Sequence, residues 1–219
     1  MKFHSSISLV ICLTLLFTPP PGLGQSTKID KTDYLSSLEK AVINEMNLAR
    51  TSPEEYLSLL EQFKKYYDGK LLKLAGETPI LTKEGTSAVV EAMSSLRSQK
   101  PVSPLSPSKG MTLGAKDHIR GLKTSGASQH KGSDGSESWD RVNRYGTWQK
   151  IIGENISFGH NKARNIVMTL MIDDGVPDRG HRKNIFDSDF RVVGVACGDH
   201  SAYRTLCVIT FAGGYREKD

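Results

Sequence analysis

Apolar positions divide the chain into a helical first part and a strand-bearing last part. Leu35, Leu38, Val42, Met46 and Ala49 recur at steps of three and four, which places them on one face of a helix that Asp33 or Ser36 can cap. Ser52-Pro53-Glu54-Glu55 predicts a second helix, with proline at its first position and acids beside the positive end of its dipole. A third is expected over 83–98, burying Ala88, Ala92 and Leu96. Pro101, Pro104 and Pro107 forbid helix and central strand alike, so 100–108 reads as an internal connector. A fourth helix is expected over about 109–123, a Gly- and Ser-rich loop over 125–137 and a short helix over 138–142.

Beyond that point the pattern changes. Residues 151–159 read as a strand and 163–172 as a buried helix carrying Ile166, Val167, Leu170 and Met171. Val, Ile, Thr and Phe are concentrated in 191–197 and 204–212, which flank a turn at Gly198-Asp199-His200-Ser201 and predict an antiparallel hairpin. Cys197 and Cys207 fall on its two strands, where a bridge can form if the register sets them opposite one another.

Composition narrows the class. With 219 residues, 37% apolar and 24% charged, the chain is a globular protein of one domain. Its net charge of +5 comes from 29 basic residues interleaved with 24 acidic ones, with no basic run beyond Lys64-Lys65, which argues against a nucleic-acid partner. Residues 1–24 have the form of a secretory signal peptide: Lys2, an apolar stretch over 9–17, prolines at 19–21, and Gly22 and Gly24 before a cut at Gln25. The apolar stretch is shorter than the roughly 20 residues that span a bilayer, so no transmembrane anchor is expected. The mature domain would be 25–219, secreted and extracellular. Cys12 would leave with the leader, and the remaining Cys197 and Cys207 are most simply a disulfide in an oxidising compartment.

Familiar catalytic signatures are mostly missing, with no Gly-x-Ser-x-Gly elbow, phosphate-binding loop, His-Glu-x-x-His or Cys-x-x-Cys. What remains is His130 in a glycine-punctuated loop, Glu154 in an apolar strand, Asp173-Asp174 ending the apolar helix, and His181 starting a turn or helix. A carboxylate among isoleucines needs a partner. Arg144 or Arg182 could supply one, or two histidines and two acids could converge on one cleft. His118, His160 and His200 are expected to face solvent, and Trp139 and Trp148 to bracket the approach to Glu154. Asn155-Ile156-Ser157 is the one glycosylation sequon, expected to be unused inside a strand.

The order His130, Trp139-Asp140-Arg141-Val142, Arg144-Tyr145-Gly146, Gly153-Glu154-Asn155-Ile156, Gly180-His181-Arg182-Lys183-Asn184-Ile185 and Val193-Gly194-Val195-Ala196 resembles the CAP superfamily of cysteine-rich secretory, antigen 5 and pathogenesis-related proteins, in its microbial form. The resemblance implies an α+β fold, a three-layer α-β-α sandwich around a mainly antiparallel sheet, with a cleft of two His and two acids. Carried over, the tetrad is His130, Glu154, Asp173 and His181, with Asp173 where the family usually has Glu and Leu170 where it has an aromatic. His130 and His181 would hold Zn²⁺ or another divalent cation, with Glu154 or Asp173 as candidate catalytic base or imidazole-orienting group. The resemblance supports a secreted binding module for an extracellular lipid, sterol, glycan or protein ligand. The alternative is a metal-dependent hydrolase using the same cleft. The cysteine-rich C-terminal extension of some relatives is absent, and their ion-channel activity is not expected.

Overall fold

The computed structural model describes residues 32–125 and 129–218, so the expected leader and Cys12 lie outside the described residues. Helix α1 (Ser37–Thr51) starts at Ser36, whose hydroxyl accepts the Glu39 N–H while the Glu39 carboxylate accepts the Ser36 N–H. The second oxygen of that buried carboxylate accepts the Cys197 N–H, so one cap also ties the helix to the sheet. Helix α2 (Pro53–Phe63) begins at the expected proline.

Beyond α2 the chain forms a unit that the sequence pattern does not announce, a three-stranded antiparallel meander of β1 (Tyr67–Asp68), β2 (Leu71–Leu72) and β3 (Ile80–Leu81). Helix α3 (Thr86–Ser98) starts three residues later than the expected position 83. The backbone N–H groups of Lys83, Glu84 and Gly85 are instead spent on the Asp174 carboxylate, at 2.6, 2.8 and 2.8 Å. The proline connector contains a short strand, β4 (Ser106–Pro107). The Ser106 and Ser108 N–H groups bond Arg191 and Val193, and Pro107, which has no N–H, is tolerated because β4 is an edge strand.

The remaining elements are α4 (Lys109–Ser125), α5 (Ser138–Asn143), β5 (Gly146–Phe158), α6 (Ala163–Ile172), α7 (Gly180–Phe186), β6 (Val192–His200) and β7 (Arg204–Glu217). The sheet runs β4-β6-β7-β5, antiparallel except for the β4–β6 pair. Alternate residues of its central strands feed two cores. Val193, Val195, Cys207, Ile209 and Phe211 pack with α1 and α6, while Ala196, Leu206 and Val208 pack with Ala115, Ile119 and Leu122 of α4. Helices therefore cover both faces, and the α+β three-layer sandwich with a mainly antiparallel sheet is the observed fold.

The hairpin differs from its sequence reading in one respect. Strand β6 continues through Gly198 to His200, and the turn lies at Ser201–Tyr203. His200, expected in solvent, is 3% exposed because its Nδ1 accepts the N–H groups of Ala202 and Tyr203 and so closes the turn. Cys197 and Cys207 are direct cross-strand partners and form a disulfide.

Candidate functional site

Strand β5 sorts the site. Successive side chains point to opposite faces, so Glu154 turns toward α4 and α5 while Asn155 turns toward α6 and α7. Glu154 is buried, and its two oxygens have separate partners. Oε1 accepts from His130 Nδ1 at 3.0 Å, and Oε2 accepts from Arg141 at 2.7 Å. Arg141 is thus the cation that this carboxylate requires, in place of the expected Arg144 or Arg182. Those two are committed elsewhere, Arg144 to Asp117 and Asp134 and Arg182 to Glu91. Burial disfavours the Glu154 charge, but the His130 hydrogen bond and the Arg141 charge outweigh it and hold the carboxyl below the usual range.

His118 completes this group and is 1% exposed, where the sequence reading put it in solvent. It sits on the inner face of α4 with Nε2 2.9 Å from the Gln129 carbonyl and 4.0 Å from Glu154, and burial pushes its pKa down. His130 is the accessible member, its side chain 55% exposed.

The second pair forms where α6 ends. Asp173 caps that helix in the left-handed conformation, φ 59° and ψ 43°, which Asp adopts more readily than most residues. This turn carries its carboxylate to the start of α7. Oδ1 accepts from His181 Nδ1 at 2.6 Å, and Oδ2 accepts the N–H groups of His181 and Arg182 at 2.8 and 3.2 Å. The connecting loop is braced by a bidentate Arg179–Glu84 pair, each bond 2.7 Å long. The Asp173–His181 pair opens into a cleft of about 240 Å³ whose other walls include Ile156 and Phe158 of β5 and Val176. His160, also expected in solvent, lines the cleft but is 5% exposed because its Nδ1 is held 3.2 Å from Glu77.

All four expected residues therefore engage their neighbours as two pairs, His130–Glu154 from one face of β5 and Asp173–His181 from the other. Among the described residues no group of three or more His, Cys, Asp and Glu side chains is placed to hold a metal ion. Glu154 is committed to His130 and Arg141, and Asp173 to His181 and the start of α7, so each carboxylate orients an imidazole through its Nδ1. Asn155 is fully buried, donates to the His181 carbonyl and accepts from Asn184, which leaves no room for a glycan on the sequon. Trp139 is 45% exposed, and Trp148 packs against the Met111–Val142 cluster. A roomier groove of about 880 Å³ is lined by residues of α2 and α3, among them Leu57 and Arg97, and contains no histidine.

Sequence reasoning missed Arg141 and His118. The signal for Arg141 was present in Trp139-Asp140-Arg141-Val142, where a cation on a short helix precedes a strand carboxylate that lacks one.

A family model described as the cysteine-rich secretory protein family, CAP, matches residues 90–211, and the chain belongs to that family. Among solved structures it is similar to an outer surface protein of Borrelia burgdorferi, with 15% identity, 53% of this chain and 80% of that one covered, and a TM-score of 0.43. It is also similar to an extracellular SCP-domain protein of Bacillus anthracis, with 18% identity, coverages of 58% and 37%, and a TM-score of 0.41. A cysteine-rich secretory protein of Staphylococcus aureus gives 13% identity, coverages of 65% and 44%, and a TM-score of 0.40. This chain spans less than half of the last two proteins. No curated protein matches. Among the described residues no helix is long and apolar enough to cross a membrane.

Proposed function

We propose that the protein is exported by its leader at 1–24 and acts outside the cell as a binding module that takes a sugar unit of a glycan in the Asp173–His181 cleft. The Cys197–Cys207 bridge supports export, because such bonds persist in oxidising compartments. The observation that carries the ligand class is the cleft wall. Phe158 lines it together with His160 and His181. An aromatic side chain in a wall shared with an oriented imidazole suits the apolar face and hydroxyl groups of a sugar. The opening, about 240 Å³, is below the roughly 300–1,000 Å³ that buries a drug-sized ligand, so a sterol or acyl chain would remain largely in water. A metal-dependent hydrolase would need a third protein ligand, and among the described residues no group of three or more His, Cys, Asp and Glu side chains is placed to provide one.

The test is calorimetric titration of the folded chain with a panel of soluble oligosaccharides. Binding weakened at least about tenfold by His181→Ala and by Phe158→Ala, in variants that keep the wild-type circular dichroism spectrum, is the expected result. Saccharide binding indifferent to both changes, or zinc-dependent hydrolysis lost in His181→Ala, would overturn the reading.

A further inference from the structure

The β1–β3 meander presents an apolar and basic surface that neither pair of the cleft uses. Its registers set Tyr67, Leu72 and Ile80 on one face and Asp68, Leu71 and Leu81 on the other. Leu72, at 2% exposure, marks the first as the face toward the core. Leu81 on the outer face is 78% exposed, the highest value of any large apolar side chain described, and Tyr66 at the base of the meander is 44% exposed. An isolated leucine in water needs no explanation, but here the surrounding segment carries more lysines than acids.

Between residues 64 and 84 the chain carries Lys64, Lys65, Lys70, Lys73 and Lys83 against three acids. Two of those acids are turned into the protein, Glu77 to His160 and Asn165, and Glu84 to Arg179. Only Asp68 remains on the outer face, and it pairs with Lys73 at 2.7 Å. The side chains of Lys65, Lys70 and Lys83 are exposed and form no ion pair among the described residues, though the Asp174 carboxylate lies beside Lys83 and accepts its N–H at 2.6 Å.

We infer that this meander is a docking surface for an anionic lipid bilayer, with Leu81, Leu71 and Tyr66 entering the headgroup region and Lys65, Lys70 and Lys83 meeting lipid phosphates. The charge complementarity selects the partner: each lysine held at an anionic surface contributes about fivefold in affinity, and the leucines add a part that salt does not screen. The turn at Gly69, φ +57°, lets Lys70 project at the tip between two strands. The surface adjoins the cleft, since Asp174, which lines the cleft, accepts the Lys83 N–H and Glu77 holds His160, but Lys65, Lys70, Leu71 and Leu81 do not line it.

Sedimentation with phospholipid vesicles tests this on the chain starting at Gln25, which contains the whole compact unit and lacks the apolar leader. Vesicles of phosphatidylcholine with about 30% phosphatidylglycerol should bind the protein at least tenfold more tightly than phosphatidylcholine alone, with the difference lost near 0.5 M NaCl. The triple change Lys65→Gln, Lys70→Gln, Lys83→Gln should abolish the preference, and Leu81→Ser should weaken binding about fivefold or more. All four positions are exposed, so folding is retained, and circular dichroism checks it. His181→Ala should bind vesicles as wild type does. Equal binding to both vesicle types would overturn the inference. So would loss in His181→Ala, which would assign the lipid to the cleft, or no vesicle binding with a self-association that Leu81→Ser removes, which would assign the surface to a second copy.

Discussion

Arg141 decides whether Glu154 can stay ionised in the interior. Both groups are nearly inaccessible, at 2% and 4% side-chain exposure, and removing one partner of such a pair leaves a buried charge without compensation. Arg141→Met is therefore expected to destabilise the domain by about 3–5 kcal/mol, whereas Arg141→Met with Glu154→Gln should recover most of that loss. Urea denaturation of both variants and of Glu154→Gln alone closes the double-mutant cycle, and equal destabilisation by the single and double changes would refute the pairing. The need for a partner was legible in the sequence, since a carboxylate among isoleucines is costly wherever it is placed. Which arginine answers it was not. Arg141 and Arg144 are three residues apart at the end of one short helix, and only the packing of α5 on β5 turns the first inward and the second toward Asp117 and Asp134. Arg50 shows the same limit. Its guanidinium is fully buried and donates to the carbonyls of Ser103, Ile185, Asp187 and Phe190, all distant in sequence, and burial lowers its pKa to about 10.

Elements were legible where one periodicity dominates. The apolar run at 163–172 gave α6 with its observed bounds, and the serine and proline signals started α1 and α2 correctly. The meander was invisible because its strands are two residues long, too short for alternation to register. The division of the expected tetrad into two pairs was equally hidden, because the spacing of His130, Glu154, Asp173 and His181 along the chain does not reveal that β5 stands between them. The close seating of α4 on β6 is a prediction at this scale. A Cβ at Gly194 would lie inside the van der Waals radius of the Met111 and Thr112 backbone, so only glycine permits that approach. Gly194→Ala should separate α4 from the sheet and destabilise by about 2 kcal/mol or more, with thermal melting as the measure. His118 rides on α4, so the same variant should also perturb the His130–Glu154 pair. A melting temperature unchanged within error would show that the helix can shift without penalty.

For the whole molecule, the seams between layers are closed by ionised carboxylates, which makes stability depend on pH in one direction. Glu154 joins β5 to α5 and titrates below the usual carboxylate range, while Arg179 holds Glu84 at about 2 where α3 meets the loop before α7. Each depressed carboxyl gives stability that is complete above the unfolded-state value near 4.5 and is lost as pH falls toward the folded-state value. His118 adds an earlier component of the same sign. Its folded-state pKa is lowered from 6.5 by burial, so below about pH 6.5 the unfolded chain takes up a proton that the folded one refuses. The groups around it act in both directions, since Glu154 and the Gln129 carbonyl favour the proton and Arg141 and His130 oppose it, yet burial prevails. Unfolding free energy measured by urea from pH 7.5 to 3.5 should decline gently below about 6.5 and more steeply below about 4.5. The contribution of His118 can be isolated with His118→Gln, which keeps a donor for Gln129 but cannot titrate. The difference between wild type and this variant should shrink as pH falls from 6.5, as wild type alone loses the His118 contribution. A constant difference across that range would mean that His118 does not titrate differently on folding, and that the acid sensitivity belongs to the carboxylates alone.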